Sequence, residues 1–153
     1  MKKKLMIFII IAFMIGGILL YTEFNSNKLD KDTYNVDHIE TIENQWNLQL
    51  PDSKTLVYQR STPFGFHGDN TKYFLFDLHQ SDQSYFDHYI NEPSKELEDE
   101  VSQLLRNEQY DEQYIPKFDD GYSYQKLSQN DYHQLYLIVT KDLSKLYVID
   151  NKI

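Results

Sequence analysis

The segment with the most chemistry to offer is the loop Gly65-Phe66-His67-Gly68-Asp69-Asn70. Glycines on both sides of Phe66-His67 let the backbone turn sharply and present an imidazole and a carboxylate at a sheet edge. In that arrangement His67 would serve as a general base, with Asp69 orienting its ring. A hydrolase acting on cell-envelope material also needs an oxyanion or electrophile partner, and no residue pattern supplies one. The plainer expectation is a hairpin connection in which Asp69 and Asn70 bond to their own backbone.

Two further constellations surround the same loop. His67, His79 and His88 form a metal set only if the loop and the segment after the next strand converge, and their spacing does not require that. No metal or cofactor is therefore expected. Phe64 and Phe66, with Tyr58 and Tyr73 on either side, could offer rings to a sugar or a peptide side chain. Rings at alternating strand positions more often fill a core. Binding, if it occurs at this loop, falls to Phe64, Phe66, His67 and Asp69. HExxH, G-x-S-x-G, P-loop and Rossmann glycine patterns are all missing from the sequence. There is no cysteine, which removes disulfides, thiolate metal sites and a thiol nucleophile.

The elements that must position this loop can be read from periodicity. Val36, Ile39, Ile42 and Trp46 recur at helical steps and predict a helix from about Asn35 to Gln45, with Pro51 beyond it. Strands are expected over Thr55–Arg60 and Thr71–Leu78, on either side of the loop. On the second of these, Phe74, Phe76 and Leu78 share one face and Tyr73 and Leu75 the other, so both faces should be covered. Tyr85, Phe86 and Tyr89 fit a short helical face. Leu97, Val101, Leu104 and Leu105 define a surface helix with Glu96, Glu98, Asp99 and Glu100 on its outer side and Pro93 near its first turn.

Asn107–Gly121 reads mostly as loop. Three strands then close the chain, at about Tyr122–Leu127, His133–Thr140 and Lys145–Asp150. The middle one is apolar on both faces and is expected to be a central strand, with Lys141–Ser144 as a four-residue hairpin loop. The class is α+β: a mainly antiparallel sheet of about five strands with two to three packed helices, preceded by a transmembrane helix.

That transmembrane helix is the clearest signal in the chain. Lys2, Lys3 and Lys4 precede seventeen residues, Leu5 to Tyr21, without a single charge. Seventeen is the short end of spanning length, roughly 25 Å at about 1.5 Å per residue. A soluble helix keeps a polar face, and this one has none. A cleavable signal peptide also begins this way, and it would release a secreted product. Large residues (Leu19, Leu20, Tyr21, Phe24) stand where a peptidase needs small ones, so an uncleaved anchor is the stronger expectation.

Three lysines before the span against Lys28 and Lys31 after it point the N-terminus to the cytoplasm. The expected organisation is a basic segment at 1–4, the span at 5–21, a polar tether at 22–32 and an extracytoplasmic domain at 33–153.

Among the 153 residues the formal charge is −9. The first 21 hold three basic and no acidic side chains, so the remainder carries 12 basic against 24 acidic ones, a balance of −12. Nucleic acid is excluded as the main partner, because phosphate neutralisation needs a basic surface. The lipid bilayer is one expected partner. Another envelope protein or a cationic peptide is the other, attracted in a salt-dependent way.

Trp46 through Leu50-Pro51, the GFHGDN loop with its aromatic strand, and the terminal LYLIVT…LYVIDNKI hairpin resemble small exported proteins of low-GC Gram-positive bacteria. The likeness covers most of the exported part and implies no particular activity. The function expected is partner binding by a membrane-anchored accessory protein, of an immunity or regulatory kind, that catalyses nothing. A tethered hydrolase or a binder of wall polysaccharide are the alternatives.

Overall fold

A computed structural model describes residues 38–63, 69–79 and 83–153. The chain divides into two compact units, Met1–Leu48 and Gln49–Ile153. Among the described residues no helix is long and apolar enough to cross a membrane. The apolar run at 5–21 lies outside them, as do the tether and Val36.

Within the first unit the described part is a helix, α1, over 38–46. Ile42 is buried and Ile39 and Trp46 are half-buried, while Glu40, Thr41, Asn44 and Gln45 are exposed, which is the one-sided pattern the spacing predicts. Pro51 does not stop it. The helix ends at Asn47, which adopts a left-handed φ of 49°, so that Leu48 N–H reaches back to the Glu43 carbonyl at 3.0 Å. Asparagine tolerates that conformation better than most side chains, and the bond satisfies a carbonyl the helix end leaves open.

The second unit is a five-stranded antiparallel sheet with one full helix on one face. The strands are β1 (Lys54–Ser61), β2 (Asn70–Leu78), β3 (Tyr122–Asn130), β4 (His133–Thr140) and β5 (Lys145–Lys152), in the spatial order β1-β2-β5-β4-β3. The α+β class and the antiparallel sheet are as expected. β4 lies inside the sheet, paired with both β3 and β5 as its two apolar faces require, and β5, between β2 and β4 with its six positions Leu146–Asn151 all buried, is the middle strand.

Helix α2 (Lys95–Asn107) packs on one face. Its N-cap is Ser94, whose hydroxyl accepts from Leu97 N–H at 3.3 Å, and Pro93 stands directly before the cap. Leu97, Val101 and Leu105 bury against Tyr73, Leu75, Tyr136, Ile138, Tyr147 and Ile149 of the sheet. Each such apolar side chain contributes roughly 1.5–3 kcal/mol by leaving water. The helix closes with Gln109 at φ 56°, returning Tyr110 N–H to the Leu105 carbonyl at 2.9 Å.

On the other face Phe74, Phe76, Leu135, Leu137, Val139, Leu146 and Val148 are buried. Where Tyr85, Phe86 and Tyr89 are expected on a helical face, a 3-10 turn spans Gln83–Phe86, and Ile90 then bridges the outer edge of β3 through two backbone bonds with Tyr124, at 2.8 and 2.9 Å.

Candidate functional site

The opposite edge, β1, carries a bulge beside an open groove of this unit. The register runs Leu56↔Phe76 and then Tyr58↔Leu75, leaving Val57 as the extra residue. Strand side chains normally alternate between faces. Here two neighbours serve the same face: Tyr58 packs with the α2-side core, and Val57, 42% exposed, lines an open groove on that side. Bulges re-aim a side chain in this manner beside binding sites and also blunt an edge strand.

The groove has a volume of about 570 Å³, within the range of ligand sites. Its floor follows one row of the sheet, where Leu75 stands opposite Tyr147. One wall is the segment after α2. Tyr114 stacks on Tyr58 with ring centroids 3.9 Å apart, and the Tyr73 hydroxyl donates to the Tyr114 carbonyl. Tyr110 donates to the carbonyls of Thr71 and Arg60 at 3.2 and 3.3 Å, while Arg60 lies 4.8 Å over its ring. Four tyrosines thus fasten this segment, with its short 3-10 turn Glu112–Tyr114, to β1 and β2, and Ile115 follows directly on the groove.

The β4–β5 turn forms the other wall. Leu143 takes a left-handed φ of 56°, and Ser144 donates to Asp142 through its backbone N–H (3.1 Å) and its hydroxyl (2.8 Å). Bonds from Thr140 and Ser144 hold the Asp142 carboxyl below the usual carboxylate range. Lys145 is paired with Asp77 at 2.9 Å. The Lys141 stem lies over Gly121, where an added Cβ would approach its Cδ to 3.2 Å, and Gly121 itself needs its φ of 83°. Tyr147 is 6% exposed, and its hydroxyl has no hydrogen-bond partner among the described residues. Burial, followed by the charges of Asp142 and Asp77, raises its pKa, so it remains a donor.

A second polar group is buried on the far face of the sheet. His133 Nε2 lies 2.8 Å from Asp150 Oδ1, and Lys72 Nζ is 3.6 Å from the other carboxylate oxygen. Thr71 and Asn151 form a buried pair on the α2 side, at 2.9 Å. His133 and Asp150 bond to each other within the sheet, and neither lines the groove.

Of the residues proposed from sequence, Phe64, Phe66 and His67 lie outside the described residues. Asp69 is half-buried at a smaller hollow of about 440 Å³ beside Asn107 and Glu108 of the α2 terminus. Asn70 donates its side-chain amide across to the Thr62 carbonyl, and Thr71 N–H donates to Thr62 Oγ1 at 2.8 Å, so the base of the loop is tied strand to strand. Tyr73 is fully buried and Tyr58 is stacked in the core, so neither is a free platform. His79 is bonded to Thr55 Oγ1 at 2.9 Å, and His88 packs edge-on against Tyr89. Among the described residues no three His, Asp or Glu side chains cluster to hold a metal.

No family model matches the chain, and no curated protein and no solved structure is significantly similar to it.

Proposed function

We propose that the chain is a membrane-tethered binding module, with its α+β unit outside the cytoplasm and the groove over Val57, Leu75 and Tyr147 as its binding surface. The carrying observation is that groove: an apolar floor, two walls pinned by specific bonds, and polar groups at the rim still without partners. Preformed concavities with an apolar floor and a few placed polar groups are where ligands bind. The charge-free run at 5–21, flanked by lysines, supports a single span with the N-terminus in the cytoplasm. The groove contains side chains suited to recognition: lysine, aspartate, tyrosine and aliphatic groups.

The test is affinity capture from membranes with the full-length chain and with Val57→Lys. Val57 is an exposed edge position where lysine is well tolerated, so the fold survives while the floor gains a charge. A specific envelope partner retained by the parent and lost by Val57→Lys supports the reading. Retention unchanged by the substitution contradicts it. Repeating the capture at raised salt separates groove contacts from attraction to the acidic surface as a whole.

A further inference from the structure

We propose that the groove receives the C-terminal end of a partner polypeptide, its free carboxylate held by Lys117 and Lys141 and its last apolar side chain laid on Val57, Leu75 and Ile115. This rests on the reading of the groove as the binding surface.

The polar groups around the groove divide into those already bonded and those still open. Lys145 is paired with Asp77, Asp142 accepts twice from Ser144, and the Gln113 amide donates to Asp111 at 2.7 Å. Among the described residues, Lys117 and Lys141 have no ion-pair partner and the Tyr147 hydroxyl has no acceptor. Tyr147 belongs to the floor, and its hydroxyl is an unbonded donor that a ligand can satisfy.

Three open donors, two of them cationic, match a group that accepts hydrogen bonds and carries negative charge. A carboxylate does both. Asp120 is the acceptor left at the rim, suited to a peptide N–H.

The same inventory favours a peptide over a fatty acyl chain. The groove is open, its floor carries the Tyr147 hydroxyl, and its rim carries Asp120 and Lys141. A saturated chain laid across it would desolvate those groups and return no bonds. Backbone amides return them, and capture of a terminal carboxylate is a recurring mode of peptide recognition.

Binding to the full-length chain in detergent micelles, measured calorimetrically, tests this with three probes: N-acetyl-alanyl-valyl-leucine, the same peptide as its C-terminal amide, and octanoate. The free acid is expected to bind at least tenfold more tightly than the amide. Lys141→Met, which keeps the stem over Gly121 and removes the charge, should weaken the acid at least fivefold and leave the amide unchanged. Tyr147→Phe should weaken the acid severalfold.

Equal binding of acid and amide, both lost in Val57→Lys, overturns the carboxylate assignment and leaves the groove standing. Octanoate binding more tightly than the acid overturns the peptide in favour of an acyl chain. If none of the three binds while Val57→Lys still abolishes partner capture, the inference falls alone. If none binds and Val57→Lys leaves capture unchanged, the groove reading falls with it.

Discussion

His133 and Asp150, seventeen residues apart, meet at 2.8 Å between side chains that are 8% and 4% exposed, with Lys72 on the same carboxylate at 3.6 Å. The hairpin creates this meeting. In its register His133 stands opposite Lys152 and Leu135 opposite Asp150, so His133 and Asp150 are diagonal neighbours on one face.

Replacing His133 with Ala should therefore destabilise the unit by about 1–3 kcal/mol, because a buried carboxylate oxygen loses its hydrogen-bond partner while Lys72 stays on the other. Asp150→Asn should cost less than Asp150→Ala, since the amide still bonds to the imidazole. Thermal melts of the three variants check the order. Partner capture by any variant that remains folded should match the parent, because the pair does not line the groove.

Alkaline pH should unfold the second unit earlier than its acidic charge alone would suggest. Burial raises the pKa of the Tyr73, Tyr110 and Tyr136 hydroxyls well above the ordinary value of 10, with neighbouring tyrosines adding to Tyr73 and Glu100 adding to Tyr136. The neutral form is the one that folds. Stability from these groups is complete below the unfolded-state pKa and is lost as pH rises beyond it. Absorbance at 295 nm should show a late block of tyrosine ionisation that coincides with loss of the circular dichroism signal. Ionisation of all tyrosines near pH 10 with the fold intact would contradict the burial.

Asp142 acts in the opposite direction. Its carboxyl titrates below the usual range because Thr140 and Ser144 bond to the charged form. A lowered folded-state pKa gives stability that is present above the unfolded value and lost as pH falls through the folded one. The parent should therefore melt above Asp142→Asn at neutral pH, and the two curves should converge as the solution is acidified past the carboxylate range. A gap that persists in acid would show that the turn is held by other bonds.

Much of this fold could be read from the sequence, and the exceptions have physical causes. Alternation and helical spacing located all five strands and both helices, because each buries one apolar stripe or two. Strand order escaped, since β4 and β5 carry equally apolar patterns and pairing alone decides which is central. The helix stops at Asn47 and Gln109 escaped too, because any of several residues can take the left-handed position.

The candidate site was harder to foresee. Locally the sequence sets His133 next to Asp131 alone, and only the register fixed by the four-residue loop at Lys141–Ser144 brings it to Asp150. The groove depends on the bulge at Val57 and on tyrosines contributed by distant segments, and neither leaves a local pattern.

The most direct test places a photo-crosslinking amino acid at Val57 or at Asn130 in the full-length, membrane-bound chain. Val57 borders the groove, whereas Asn130 is exposed at the end of β3 and does not line it. The account predicts one discrete adduct from position 57, suppressed by an excess of the bound peptide, and none from position 130. The same adduct arising from 130 and absent at 57 would contradict it.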